Sequence, residues 1–158
     1  AAEVGPAFVT VTSGDRQVAS GFLLIDKVGP GLFSANGDGR GVAAAVAVKV
    51  AADGTQTSQL VYRCGAAAGS CVSVPIHLGG EKDQVILSLF GTGIRGAKSI
   101  SFLGLPPVTV LFAGAQGQYP GLDQVNIRLP RSLIGRGEVE IGLSADGRSA
   151  NIVTVNIK

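Results

Sequence analysis

The pattern of apolar and polar positions is the same near both ends of the chain. Residues 7–12 form an apolar-rich run that turns and returns through residues 23–25. Residues 139–144 form a similar run that turns and returns through residues 153–157. Each pair of runs is typical of a β-hairpin with one apolar face. The sequence therefore predicts one kind of hairpin that occurs twice.

A shift of 132 positions, the separation of Val9 from Ile141, superposes the two patterns. It also aligns Val11 with Leu143, Leu23 with Val155 and Ile25 with Ile157. Repeated strand units are typical of serial modules that act as scaffolds or adhesive surfaces. We call Val9, Val11, Leu23 and Ile25 the hairpin face and predict that it is the interaction site. Its burial would contribute about 6 to 12 kcal/mol, whereas an isolated hairpin is marginal in water.

The duplicated hairpin suggests two parts of the chain. Residues 1–27 are predicted to be an extra N-terminal hairpin, either a remnant of a preceding immunoglobulin-like module or strands shared with one. Residues 28–158 are predicted to be an immunoglobulin-like sandwich. The hairpin face then has three possible partners: the chain's own sandwich, a neighbouring module, or an identical subunit that it joins by strand addition. Head-to-tail pairing of identical chains makes an open fibre.

Short apolar runs separated by turns fill the middle of the chain. They lie at residues 42–50, 59–63, 72–78, 84–90, 108–112 and 124–129. Residues 28–33 contain Pro30 and Gly31 and are predicted to be a linker-like turn. About ten short strands without an amphipathic helix predict an all-β fold, an antiparallel sandwich of the immunoglobulin-like type.

Three blocks in the same order resemble the signature of a known family. They are PGLFSANGDGRGVAA at 30–44, LFGTGIRG at 89–96 and GLDQVNIRLP at 121–130. Together they resemble the uncharacterised C-terminal domain of acidobacterial (Solibacter-type) secreted proteins, and the resemblance runs from Val4 to Lys158. It implies an immunoglobulin-like fold at the cell exterior and attaches no enzymatic activity. Residues 102–107 are more compressed than the family pattern.

Composition and charge exclude several classes of partner. The net charge is +2, and the 13 basic residues are scattered among 11 acidic ones with no Trp to stack on bases, which argues against nucleic acid. No apolar run approaches the roughly 20 residues that span a bilayer. The chain contains no Met, so we expect a processed or excised segment. Ala1 and Ala2 fit either signal cleavage or an arbitrary boundary.

The two cysteines are predicted to form a disulfide. Cys64 and Cys71 flank a flexible segment rich in Gly and Ala, and free thiols on a loop are the alternative. Two cysteines and a single histidine are too few for a structural zinc site. A disulfide is typical of an oxidising compartment, so we expect an extracellular or cell-surface location.

Several motifs have a chemical and a structural interpretation, and we favour the structural one for each. Residues 36–41 resemble a calcium loop, but Arg40 stands where an oxygen ligand is needed, so a glycine-rich turn is predicted. Residues 91–96 match a dinucleotide fingerprint but lack the helix that binds pyrophosphate. His77 lies in a strand-like pattern without a nucleophile motif. No catalytic, cofactor-binding or metal-ligating residue is predicted.

Polar residues in two strands complete the candidates. Glu138 and Glu140 alternate with apolar neighbours and are predicted to form a solvated face. Asp123, Gln124 and Arg128 fit either a surface that binds a glycan or protein or a buried aspartate bonded to loop amides. The sequence as a whole favours a non-catalytic extracellular module for adhesion, spacing or surface display. The alternative is a filament subunit that shares strands with its neighbours.

Overall fold

The computed structural model describes residues 3–158, so the boundary at Ala1 and Ala2 lies outside the described residues. Within this range the chain is all-β, with one turn of 3-10 helix at Arg131–Leu133. The strands are β1 (Gly5–Ser13), β2 (Arg16–Ile25), β3 (Gly31–Leu32), β4 (Ala45–Val50), β5 (Gln56–Leu60), β6 (Tyr62–Cys64), β7 (Cys71–Ser73), β8 (Gln84–Thr92), β9 (Ile100–Leu103), β10 (Thr109–Ala115), β11 (Asp123–Arg128), β12 (Gly137–Ala145) and β13 (Arg148–Ile157). None of the described residues belongs to a helix long and apolar enough to cross a membrane.

Two antiparallel sheets form a β-sandwich, which confirms the predicted fold class at this level. The larger sheet has the order β10-β11-β8-β4-β5, with β3 paired to β8, and the smaller has the order β13-β12-β9. β11 shows why these residues form strands: Val125 and Ile127 are buried, while Gln124 and Asn126, which alternate with them, are only half-buried. This period of two places one face of the strand in the core.

The buried core of the sandwich contains no residue of the N-terminal strands β1 and β2. Large side chains from both sheets are fully buried, among them Leu87, Leu89, Ile127, Ile141, Val153 and Val155. Every buried apolar residue of the described chain lies at or after Val28. The part of the chain from Val28 onward therefore contains the whole buried core.

The predicted linker at residues 28–33 is wrong. Val28 and Leu32 are buried in the core, and Gly31–Leu32 pairs with β8. Asn151 of β13 holds the same segment from the other side: its Oδ1 accepts the N–H of Leu32 (2.8 Å), and its Nδ2 donates to the Leu32 carbonyl (3.0 Å). Pro30 limits strand pairing here, but it does not prevent its apolar neighbours from packing inward.

Three predicted runs differ from the strands of the structure, and one strand was missed. The run at 42–50 forms a regular strand only from Ala45. The run at 59–63 is divided at the fully buried Val61 between β5 and β6, and the run at 72–78 ends as a strand at Ser73, shortly before Pro75. β9 was not predicted, although half-buried Ile100 and Phe102 alternate with exposed neighbours. It pairs with β12.

The disulfide prediction is confirmed. Cys64 at the end of β6 is bonded to Cys71 at the start of β7. Closing a loop of this length stabilises the fold by about 2 to 3 kcal/mol in the chain-entropy model.

Asp146, in the turn between β12 and β13, holds the segment that leads into β9. Its φ is 48°, and its Oδ1 accepts the N–H groups of Ser99 (2.8 Å) and Lys98 (2.9 Å). The Ser99 N–H is the largest cause of a lowered pKa at Asp146. A pKa that is lower in the folded than in the unfolded state means that the ionised carboxylate stabilises the fold.

We expect this stabilisation to be present above about pH 4 and to be lost as the pH falls through the folded-state pKa. The Asp146→Asn variant keeps a residue type that tolerates the left-handed backbone. It lacks the carboxylate whose protonation in acid destabilises the wild-type chain. Urea denaturation should therefore show a stability deficit of the variant at neutral pH that narrows in acid. A deficit that does not depend on pH would contradict the role of the charge.

Candidate functional site

The N-terminal hairpin repeats the pairing of the last two strands. β1 pairs with β2 through Gly5 opposite Ile25 and Ser13 opposite Arg16. After the 132-residue shift these become the observed pairs Gly137–Ile157 and Ala145–Arg148 of β12 and β13. The strand bounds also coincide after this shift, and both hairpins have an irregularity at the same point, next to Thr12 and Ser144. The two hairpins therefore share one register as well as one apolar pattern.

The two copies differ in what covers them. In β12 and β13 the inward-facing residues, including Val139, Ile141, Val155 and Ile157, are buried. On the hairpin face Val9 is 38% exposed, Val11 51% and Leu23 46%, and Ile25 is half-buried. Docking on the chain's own sandwich, one of the three alternatives, is therefore not what the structure contains.

The opposite face of the hairpin is apolar too, and sequence reasoning missed it. Phe8 lies opposite Phe22, with ring centroids 5.0 Å apart in an edge-to-face arrangement. Phe22 is 82% exposed, and Leu24 beside it is also exposed. The unbroken apolar run at 22–25 could have indicated this second face, because a strand covered on both faces has a continuous rather than an alternating apolar pattern. The hairpin therefore presents two apolar faces to solvent.

A groove lies at the connection from β9 to β10, each of which is the last strand at one end of its sheet. Among the described residues β9 pairs only with β12, and β10 pairs only with β11. The cavity between them has a volume of about 340 Å³. Its half-buried apolar lining consists of Ile100, Phe102, Leu105, Pro106, Val108 and Val110. This groove, which we call the edge groove, was not predicted because β9 was not recognised as a strand.

The glycine-rich loop at residues 36–41 uses its oxygen atoms within the chain. Asp38 accepts the N–H of Arg40 (2.9 Å) and the hydroxyl of Ser34 (3.0 Å), and these bonds lower the pKa of Asp38 in that order of size. The Asn36 Oδ1 accepts the N–H of Cys71 (2.8 Å). The loop thus has the hydrogen bonds of a structural turn.

Asp123 is buried, and its bonds support the structural interpretation. Its carboxylate accepts the N–H of Ile94 (2.7 Å) and, from Arg95, both the N–H (3.1 Å) and Nε (2.5 Å). It thereby fixes the loop at 91–96. In that loop Gly93 has a positive φ of 69° and lies so close to Gly29 that a Cβ would be 2.0 Å from its carbonyl oxygen. Only glycine fits there, so the fingerprint-like sequence is a packed turn.

The remaining polar candidates lie apart from the groove and the hairpin. His77 is exposed between the buried Ile76 and Leu78. Glu138 and Glu140 are exposed on the outer face of β12, as a solvated face requires. The structure does not bring these groups together with Asp123 into one site.

Comparisons with family models, curated proteins and solved structures gave no match for this chain. The resemblance to the acidobacterial domain therefore stays a prediction. The hairpin and the edge groove are the features from which a function can be inferred.

Replacing the buried aspartate should destabilise the sandwich. We expect Asp123→Ala to lower the free energy of unfolding by about 2 to 4 kcal/mol, because the N–H groups that it binds would lose their partner away from water. Its neighbour Gln124 is the control: Gln124→Ala should cost less than about 1 kcal/mol. Equal, small losses in urea denaturation would contradict the structural role of Asp123.

The uncovered hairpin should be the least protected part of the sheet structure. In dilute protein we expect amide hydrogens of β1 and β2 to exchange on the order of a thousandfold faster than those of β8, because an isolated hairpin is marginal and opens locally. Hydrogen exchange followed by mass spectrometry measures this directly. Equal protection of β1 and β8 in dilute, monomeric protein would contradict the uncovered state.

Proposed function

We propose that this chain is a non-catalytic extracellular immunoglobulin-like module for adhesion, spacing or surface display, which joins its neighbours through the N-terminal hairpin. One observation carries the proposal: the hairpin has the register of β12 and β13 but no sheet of the described chain covers it. Because the N-terminal hairpin has the pattern of β12 and β13, it needs the kind of surface on which those strands pack. That surface is the apolar face of a β-sheet.

The exposed apolar area supports an association function. Valines, leucines and two phenylalanines are exposed along both faces of one hairpin, and contiguous patches of this kind mark interaction sites. In serial proteins each unit is stabilised by the contact with its neighbour. Covering the hairpin would therefore stabilise both the hairpin and the array.

The disulfide supports the extracellular part of the proposal. The bond between Cys64 and Cys71 persists in oxidising compartments and is rare in the cytosol. It also closes the connection between β6 and β7, a small two-stranded sheet outside the two main sheets.

A second candidate function is a subunit of an extracellular filament in which neighbours share strands. The free edges of β9 and β10 favour it, since an unpaired edge offers backbone N–H and C=O groups to an added strand. The two candidates share the hairpin as the contact and differ in whether the partner is another module or an identical chain.

Removing the hairpin tests its role in association. A chain that starts at Val28 retains the whole buried core, so we expect its melting temperature to stay within a few degrees of the full chain. We also expect it to lose any concentration-dependent assembly seen by sizing chromatography and electron microscopy.

Point variants provide the matched comparison. Val11→Thr in the hairpin face should weaken assembly, whereas Val72→Thr in β7 should not, although Val72 is equally exposed at 52%. If the chain without the hairpin associates like the full chain, the hairpin is inert and the proposal is wrong.

A further inference from the structure

We infer that the edge groove of one copy of this chain binds the N-terminal hairpin of a second copy. The inference rests on the strand-sharing form of the proposed function and deepens it, because it assigns the acceptor surface. The occupant is a named segment, β1 with β2, and the partner is identical to the chain itself.

The edge groove has the features of a strand acceptor. β9 and β10 each have one unpaired edge, and the apolar side chains between them are only half-buried. A strand placed there would hydrogen-bond to an open edge and cover the lining at the same time. Natural sheets normally protect such edges with charges, bulges or a covering segment. Here the segment 100–110 contains no charged residue.

The paired edge of β9 shows that a strand of the hairpin pattern can lie beside it. β9 is paired along one edge with β12, and β12 is the equivalent of β1 under the 132-residue shift. A second hairpin of the same pattern on the free edge of β9 would extend the smaller sheet. Its inward face, with Val9 and Val11, would then lie on Phe102 and Val110 of the groove.

The charge and the length of the N-terminal hairpin also fit the edge groove. The only charged residues between 5 and 25 are Asp15 and Arg16 in the hairpin turn, so inserting the strands would bury no unpaired charge. The strands of the hairpin have 9 and 10 residues, long enough to follow the 7 residues of β10. The turn with its two charges could then project beyond the groove into water.

The hairpin of the chain lies outside its own edge groove, so the inferred contact is between chains. The ion pair of Asp26 with Arg148 and the buried Val28 hold the base of the hairpin at the turn between β12 and β13. No hairpin residue lines the edge groove. Binding of the hairpin of one copy in the groove of the next is a heterologous contact, and its repetition produces an open fibre.

Cysteine cross-linking between two full-length variants tests the assignment. Val11→Cys places a thiol in the hairpin, and Val108→Cys or Val110→Cys places one in the groove. Under mild oxidation we expect a covalent dimer when a hairpin variant is mixed with a groove variant, several-fold more abundant than with either alone. The control pair, Val11→Cys with Val72→Cys, should give background cross-linking only. Intact-mass measurement verifies that Cys64 and Cys71 stay paired.

A capping experiment gives an independent readout. The chain that starts at Val28 retains the groove but has no hairpin, so it can accept one neighbour and offers nothing to the next. Added in equimolar amount to the full chain, it should shorten assemblies several-fold in electron micrographs. The same variant carrying Leu105→Glu in the groove should not cap, and its melting curve shows whether it is folded.

The outcomes separate this inference from the proposed function. If removing the hairpin abolishes association but Val11→Cys cross-links only with itself, hairpins pair with each other; the groove assignment is then wrong and the proposed function stands. A full chain that is monomeric at all concentrations also overturns the inference. If the chain without the hairpin associates normally, both the inference and the hairpin's proposed role fail.

Discussion

A two-stranded sheet with an apolar face is marginal in water until further strands or another element pack against it, and this constraint governs both ends of the chain. β12 and β13 satisfy it by packing Val139 and Ile141 into the core. β1 and β2 have the same register and the same kind of face but nothing to pack against. The sandwich is complete without its first strands, and those strands are incomplete without a partner. The packing requirement of the N-terminal hairpin is therefore unmet within the described residues.

A buried aspartate and a half-buried asparagine hold segments that lie beside the main strands. Asp123 is fully buried and bonds to the amides of Ile94 and Arg95, so the loop after β8 has one defined conformation. Asn151 does the same for Leu32, whose N–H and carbonyl both bond to the Asn151 amide. Asp123, a candidate ligand in the sequence, and Asn151, which no motif singled out, thus replace missing strand pairing with specific hydrogen bonds. Their role explains why chemically suggestive motifs occur in a chain whose main surface features are apolar.

The sequence predicts strands well where polarity alternates and poorly where burial is irregular. Alternation in residues 124–129 and in the C-terminal hairpin is strong because one face of each strand meets the core. The segment 28–33 misleads because Pro30 and Gly31 indicate a turn, although Val28 and Leu32 pack inward. The hairpin face was found from the repeat. The edge groove was not, because it depends on which strands lie at the sheet edges, and edge position follows from long-range pairing that no local pattern reports.

The attachment of β3 to β13 has a mechanical consequence. Asn151 binds Leu32 near the start of β13, and Ile157 at its far end is bridged to Ile76 in parallel. A tensile force applied between the hairpin and Lys158 would therefore run along the length of β13. It would load the hydrogen bonds of Gly41, Ala43 and Ile76 with that strand in shear, so that they fail together rather than one by one. Such a geometry resists extension between the hairpin and the C-terminal end of β13 more strongly than a peeling geometry would.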